Sequence, residues 1–465
     1  MKILFSLLFV TVHILTSQDI HTEYLVVEGD TLDVFSYQIP EGYSPDDPLP
    51  LLVAFHQWGG NENSPYYTEF DDEANNRSWF FMSPYGGSSN NYNHQDAQAM
   101  VEGEILWMMD NFSIDSNRIY MVGGSMGGAA GSIYANNHLD PTLPMVAATA
   151  SGSGILDCER RYWEMEGNNS MIEWFGGTPE EVPFEYHRNS AVFFEDSTQS
   201  MHYNLQHTPL YLDFGSTEAH RYHAEDLYNL LFGYNDNMWI DTIPSGGHGY
   251  SVMHENHTCD WLSQFTLVDD PDYINVNLDE PSRVYWTEAI GYNDRDEFIR
   301  LITTRYNSNW FELYEFENSD SVIFHNSIVN TDFNEILLDN HVFSRDFKIG
   351  LTGDDFNSLT SIVALGNVDD LFESLVITID NDNSVVWIWL PDWGFVWEFI
   401  GIEMTFDFED VSQDGVWNIL DIVLTGNFIL DLEEPDEYQL GAADLNDDAG
   451  IDILDIILMV NLILE

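Results

Sequence analysis

Lysine is almost missing from this chain of 465 residues: Lys2 and Lys348 are the only two. Basic residues number 13 against 80 acidic ones, for a formal net charge of −67. Such a surface repels phosphate backbones and anionic headgroups, which excludes nucleic acid and membrane surfaces as partners. Most of the acid reads as a solvating coat suited to salty water, with ion ligation reserved for the C-terminus. Cysteine is scarce too. Cys158 and Cys259 stand alone, too few for a zinc cluster. Long apolar runs are also lacking, and none reaches the ~18 residues of a membrane span.

What is present narrows the class further. Hydrophobic residues make up 44% and aromatics 14%, enough for packed cores and against disorder. The length calls for two or three domains. Residues 1–18 run from Met1-Lys2 through a short apolar stretch, Ile3 to Leu15, to Thr16-Ser17-Gln18. That is the pattern of a secretory signal peptide, so an exported, soluble mature protein is expected. In an exported chain, one disulfide between Cys158 and Cys259 is the simplest expectation.

From residue 19 to 268, strand-like and helix-like patterns alternate, as in an α/β sheet with helices on both faces. Leu51-Leu52-Val53-Ala54-Phe55 is a continuous apolar run, the mark of a strand buried on both sides. Arg118 to Val122 reads as another strand. It runs directly into Gly123-Gly124-Ser125-Met126-Gly127, and small residues follow. Gly-x-Ser-x-Gly between strand and helix is the nucleophile elbow of α/β-hydrolases, a turn that lifts a serine hydroxyl above the sheet.

An attacking serine needs a base, an acid and an oxyanion hole, with acid and base following the serine in the chain. His248, within Ser245-Gly246-Gly247-His248-Gly249, is the candidate base beyond the last core strand. His254 and His257 are fallbacks. Glu218 follows the strand Leu210–Phe214 and is the candidate acid, with Asp213 and Asp241 as alternatives. Backbone N–H groups of Met126 and of Trp58, in His56-Gln57-Trp58-Gly59-Gly60, are the candidate oxyanion donors. This step calls for no cofactor.

Near Val268 the texture changes to short alternating strands separated by Asn, Asp and Ser clusters, predicting a β-sandwich over 269–405. Trp387, Trp389, Trp393 and Trp397 crowd one part of it, as core aromatics or a carbohydrate-binding surface. Residues 406–465 contain a repeat. Asp410, Ser412, Asp414, Asn418 and Asp421 recur as Asp444, Asn446, Asp448, Asp452 and Asp455, at loop positions 1, 3, 5, 9 and 12. Hard oxygen donors at that spacing predict calcium loops, each leading into an apolar helix.

Two resemblances follow. Residues 45–265 resemble the feruloyl esterase/polyhydroxybutyrate depolymerase family of secreted α/β-hydrolases. The likeness rests on Phe55 to Asn61, Ser83-Pro84-Tyr85-Gly86, Asp115 to Tyr120, Gly124 to Gly128, Gly176 to Glu181, Gly215 to Glu218 and Gly246 to Gly249. It implies a Ser125–Glu218–His248 triad acting on carboxylic esters, feruloyl or acetyl groups on polysaccharide first and polyesters second. Gln57 departs from that pattern where glycine is usual, and Glu218 where Asp is usual. The C-terminal repeat resembles a type I dockerin, which implies calcium-dependent folding and a cohesin-like or surface partner. Ala449 departs from the usual glycine. A serine peptidase and a non-catalytic binding protein on the same fold are the competing readings.

Overall fold

The computed structural model describes residues 19–167, 169–244, 246–328, 333–338, 346–353, 356–357, 359–368, 371–391, 397–406, 411–412, 419–430, 432–435, 437–446 and 450–464. The predicted signal peptide, Trp393, and the loop residues Asp410, Asp414, Asn418 and Asp448 lie outside this set. The chain separates into two compact units, one up to Asp269 and one from Asp270.

The first unit is built on eight strands: β1 His21–Val27, β2 Asp30–Gln38, β3 Leu49–Phe55, β4 Phe80–Pro84, β5 Ile114–Gly124, β6 Ala148–Gly152, β7 Leu210–Gly215 and β8 Met238–Ile243. Their order is β1-β2-β4-β3-β5-β6-β7-β8. β2 pairs antiparallel with both β1 and β4, and every pair from β4 to β8 is parallel. This is the sheet of an α/β-hydrolase. The helices are α1 Phe70–Asn76, α2 Gln95–Asn111, α3 Met126–Asn137, α4 Cys158–Glu164, α5 Met171–Phe175, α6 Pro183–Arg188, α7 Arg221–Leu231 and α8 Glu255–Leu262.

Side chains alternate across a strand, so one buried strand feeds two cores. Leu51, Val53, Phe55, Ile119 and Met121 join one core with α2, α3 and α7. Leu52, Ala54, Tyr120 and Val122 join the other with α1 and α8. The expected disulfide is not formed: Cys158 and Cys259 are both free and buried. Cys259 lies in the α1/α8 core, whereas Cys158 packs in a separate cluster with Tyr92, Met126, Tyr162 and Tyr186. Burial pushes each thiol up to about 12.

The described residues of the second unit form a six-stranded and a seven-stranded sheet that meet through aromatic side chains. Phe311 in the larger sheet stacks on Phe324 in the smaller one at 5.1 Å between ring centroids, and Trp286 lies against both. Trp397 is buried and Trp389 is exposed. Among the described residues, three helices follow the strand Phe399–Phe406: Ile419–Ile429, Glu437–Ala443 and Ile453–Leu464. Val411, Phe428, Ala442, Ala443 and Met459 form their small core.

Candidate active site

Ser125 sits between β5 and α3 with φ +56° and ψ −119°, a left-handed backbone that a serine adopts only under constraint. The constraint is close packing. A Cβ on Gly123 would run into the Gly127 carbonyl, and one on Gly127 would meet the Phe55 carbonyl at 2.7 Å. These two glycines let the turn close so tightly that the hydroxyl stands clear of it.

The candidate base arrives from the loop after β8. The Ser251 hydroxyl accepts from the His248 amide and donates to its carbonyl, both at 2.9 Å, fixing the residue's backbone. The Tyr250 hydroxyl donates to the Phe55 carbonyl at 2.6 Å, tying this loop to the end of β3. The imidazole then bridges the site, with Nε2 2.7 Å from Ser125 Oγ and Nδ1 2.8 Å from Glu218 Oε2. An ionised carboxylate only accepts, so the ring hydrogen belongs on Nδ1 and the Nε2 lone pair faces the serine.

Glu218 is the buried end of this relay, its side chain 8% exposed against 42% for His248. Its Oε1 accepts from Ser153 Oγ at 2.6 Å and from the Gly215 amide at 2.9 Å. Burial works against its charge. Hydrogen bonds from His248, Ser153 and Gly215 outweigh that and hold its carboxyl below the ordinary value. Asp213 lies within β7, fully buried. Burial, and then the Asp241 carboxylate, push it up to about 8, so at neutral pH it is mostly protonated and unsuited to holding an imidazolium. Of the fallback bases, His257 contacts the Tyr211 hydroxyl and His254 is exposed at the start of α8.

The Met126 amide opens α3, where the helix dipole favours negative charge. Across the turn, the Gly60 amide donates to the Gln57 carbonyl, curling the loop around Trp58. Neither the Trp58 nor the Met126 amide has a partner among the described residues. The Trp58 indole is exposed and points its N–H at Ser170 Oγ, 3.5 Å away. The Gln57 side chain fills the space where Gly249 lacks a Cβ, beside the base.

Sequence reasoning did not single out Ser153, whose hydroxyl supports Glu218, because one serine in Ser151-Gly152-Ser153-Gly154 carries no distinguishing pattern. It also passed over His220, whose ring centroid lies 5.2 Å from that of His248. In the C-terminal repeat, Asp421 and Asp455 are both buried. Asp421 accepts from the Ser412 amide at 2.8 Å, and Asp455 accepts from the equivalent Asn446 amide at 3.3 Å. Among the described residues, no three His, Cys, Asp or Glu side chains cluster as a metal site.

No protein-family model and no curated protein sequence matches the chain. Among solved structures, it is similar to the Staphylococcus aureus fluorophosphonate-binding serine hydrolase FphF, at 15% identity and a TM-score of 0.40, over 53% of this chain and 98% of that one. It is similar to an S-formylglutathione hydrolase from Agrobacterium tumefaciens, at 12% identity and a TM-score of 0.42, over 54% and 98%. A ferulic acid esterase gives 13% identity and a TM-score of 0.41, over 53% and 98%.

Proposed function

We propose that the protein is a secreted serine hydrolase of carboxylic esters, acting on feruloyl or acetyl groups of polysaccharides. The observation that carries the reading is the Ser125–His248–Glu218 relay, with contacts of 2.7 and 2.8 Å at a strained elbow. Ser125 Oγ attacks the acyl carbon while His248 Nε2 takes its proton, and Glu218 steadies the imidazolium. The Met126 and Trp58 amides stabilise the negative oxygen of the tetrahedral intermediate. Collapse breaks the ester bond, and His248 returns the proton to the departing alcohol. Water, deprotonated by the same imidazole, then releases the acid and restores Ser125.

The exposed Trp58 indole favours a second substrate class, aromatic or aliphatic polyesters, whose chains would lie across it. In the tail, donors that are all oxygen suit a hard cation. Calcium would be held in one loop by Asp410, Ser412, Asp414, Asn418 and Asp421, and in the other by Asp444, Asn446, Asp448, Asp452 and Asp455. It would supply folding rather than chemistry. The matching contacts of Asp421 and Asp455 support this, each closing its loop onto the third position. A dockerin-like tail would anchor the enzyme to a cohesin-like or surface partner during polymer breakdown.

The test is a hydrolysis panel of 4-nitrophenyl acetate, methyl ferulate, acetylated xylan, polyhydroxybutyrate and an aromatic polyester, with Ser125→Ala as control. Short-ester turnover that vanishes in the variant is expected. Turnover equal in both proteins would overturn the reading.

A further inference from the structure

One polar cluster outside the triad touches it directly. His220 precedes α7, and its ring meets that of His248 edge-on at 63°. Glu164, at the end of α4, is the hub behind it. Its Oε2 lies 3.2 Å from His220 Nδ1 and 3.2 Å from Arg161 Nη1, and its Oε1 lies 3.5 Å from His223 Nε2. Arg161 Nη1 in turn stands 2.9 Å from the same His220 Nδ1. Burial opposes the Glu164 charge, yet hydrogen bonds from His220 and His223, with Arg161, hold its carboxyl well below the ordinary range.

The geometry at Nδ1 has two mutually exclusive solutions. A neutral ring can accept there from Arg161, but then it cannot donate to Glu164. A protonated ring donates to Glu164, and Arg161 must give way. His223 does not share this choice. Its Nδ1 already accepts from the Leu156 and Asp157 amides, both at 3.2 Å, which leaves its Nε2–H for Glu164. The charged or titratable groups facing His220 are thus Arg161 and Glu164 on α4, His223 on α7, and His248. Glu218 and Arg221 flank it in the chain.

We propose that His220 is a positioning residue for His248, and that in acid its Nδ1 changes partner from Arg161 to Glu164, setting a positive charge against the base. While neutral, the ring props His248 between Ser125 and Glu218. Once charged, it opposes the imidazolium that must form during acylation, so a second proton slows turnover beyond the first. The inference rests on the ester-hydrolase reading for its kinetic consequence, though not for the coupling between the two rings.

Two measurements on the full chain test it. The first is the pH dependence of kcat/KM for 4-nitrophenyl acetate in the wild type, His220→Phe, His220→Ala and Glu164→Gln. The wild type should fall with the first power of proton concentration and, further into acid, with its square. His220→Phe keeps a ring against His248 and should fall with the first power throughout, with kcat at pH 8 within about threefold of wild type. His220→Ala should lose about tenfold in kcat with KM unchanged, and Glu164→Gln should move the second bend to lower pH. The second measurement is an NMR titration of the imidazoles, in which His248 should titrate in two steps in the wild type and one in His220→Phe. Identical profiles and identical titrations in wild type and His220→Phe would overturn the proposal. A wild type without Ser125-dependent turnover would instead refute the ester-hydrolase reading, and the titration would still decide the coupling.

Discussion

The two units put their many acidic residues to different ends. In the first, the carboxylates around the candidate site are drawn into the protein and given partners. Glu218 is ringed by His248, Ser153 and Gly215, and Glu164 by Arg161, His220 and His223. In the second, the sheets are joined by stacked aromatics such as Phe311 and Phe324, and buried acid among the described residues is confined to Asp421 and Asp455 of the terminal repeat. Burial without partners makes a carboxylate costly. Burial with well-placed donors keeps it charged and aimed. Chemistry is therefore expected where acids are enclosed and hydrogen-bonded by other side chains, and an ion site where they close short loops.

That contrast can be broken most severely at Glu218. Glu218→Gln preserves shape but removes the charge that holds the imidazolium, and kcat for 4-nitrophenyl acetate should fall by about 10³-fold or more. Glu218→Asp, one methylene shorter, should lose roughly tenfold. A Gln variant as active as wild type would dissolve the distinction between the units.

Removing the calcium proposed for the tail should do the opposite. Chelation with EGTA should lower helical circular dichroism through the terminal helices, while soluble-ester turnover stays within about twofold. A parallel loss of activity would contradict the separation of roles.

Asp213 sharpens the comparison from within the first unit, as a buried acid pushed up rather than down. Its folded value of about 8 exceeds the unfolded value near 4, so the stability linked to its proton is full below about pH 4 and is lost as pH rises through about 8. Asp213→Asn removes that loss. It should raise Tm by several degrees at pH 8, from an effect on the order of a few kcal/mol, and change it little at pH 5. Equal shifts at both pH values would argue against a protonated Asp213. The smallest effect belongs to the free thiols: adding a reductant should leave Tm unchanged within about 1 °C, since no bond links Cys158 to Cys259.

The elbow was legible because strand, turn and helix are contiguous, and because its glycines have no other use at that spacing. His248 stood out through its glycine neighbours, and Glu218 through its place just after a strand. β1 and β2 were not foreseen. They form the antiparallel edge of the sheet, and their mixed residues, such as Asp30-Thr31-Leu32-Asp33, lack the unbroken apolar run of Leu51 to Phe55. The strands Phe333–Leu338 and Leu359–Val368 fall within the expected β-sandwich, but in a region dense with Asn and Asp, where turn signals mask their bounds. Ser153, His220 and Glu164 were invisible for a different reason. Each acts through partners between 28 and 65 positions away, and nothing local marks such a contact. The disulfide was expected from cysteine count alone, which says nothing about where two thiols lie.

The backbone at Ser125 carries a further consequence. A left-handed serine costs the fold on the order of 1–3 kcal/mol, and the neighbouring glycines add their own entropic burden. A glycine in its place would relieve the twist and abolish the nucleophile in one substitution. Random drift toward a tougher protein therefore leads away from a working one at this position.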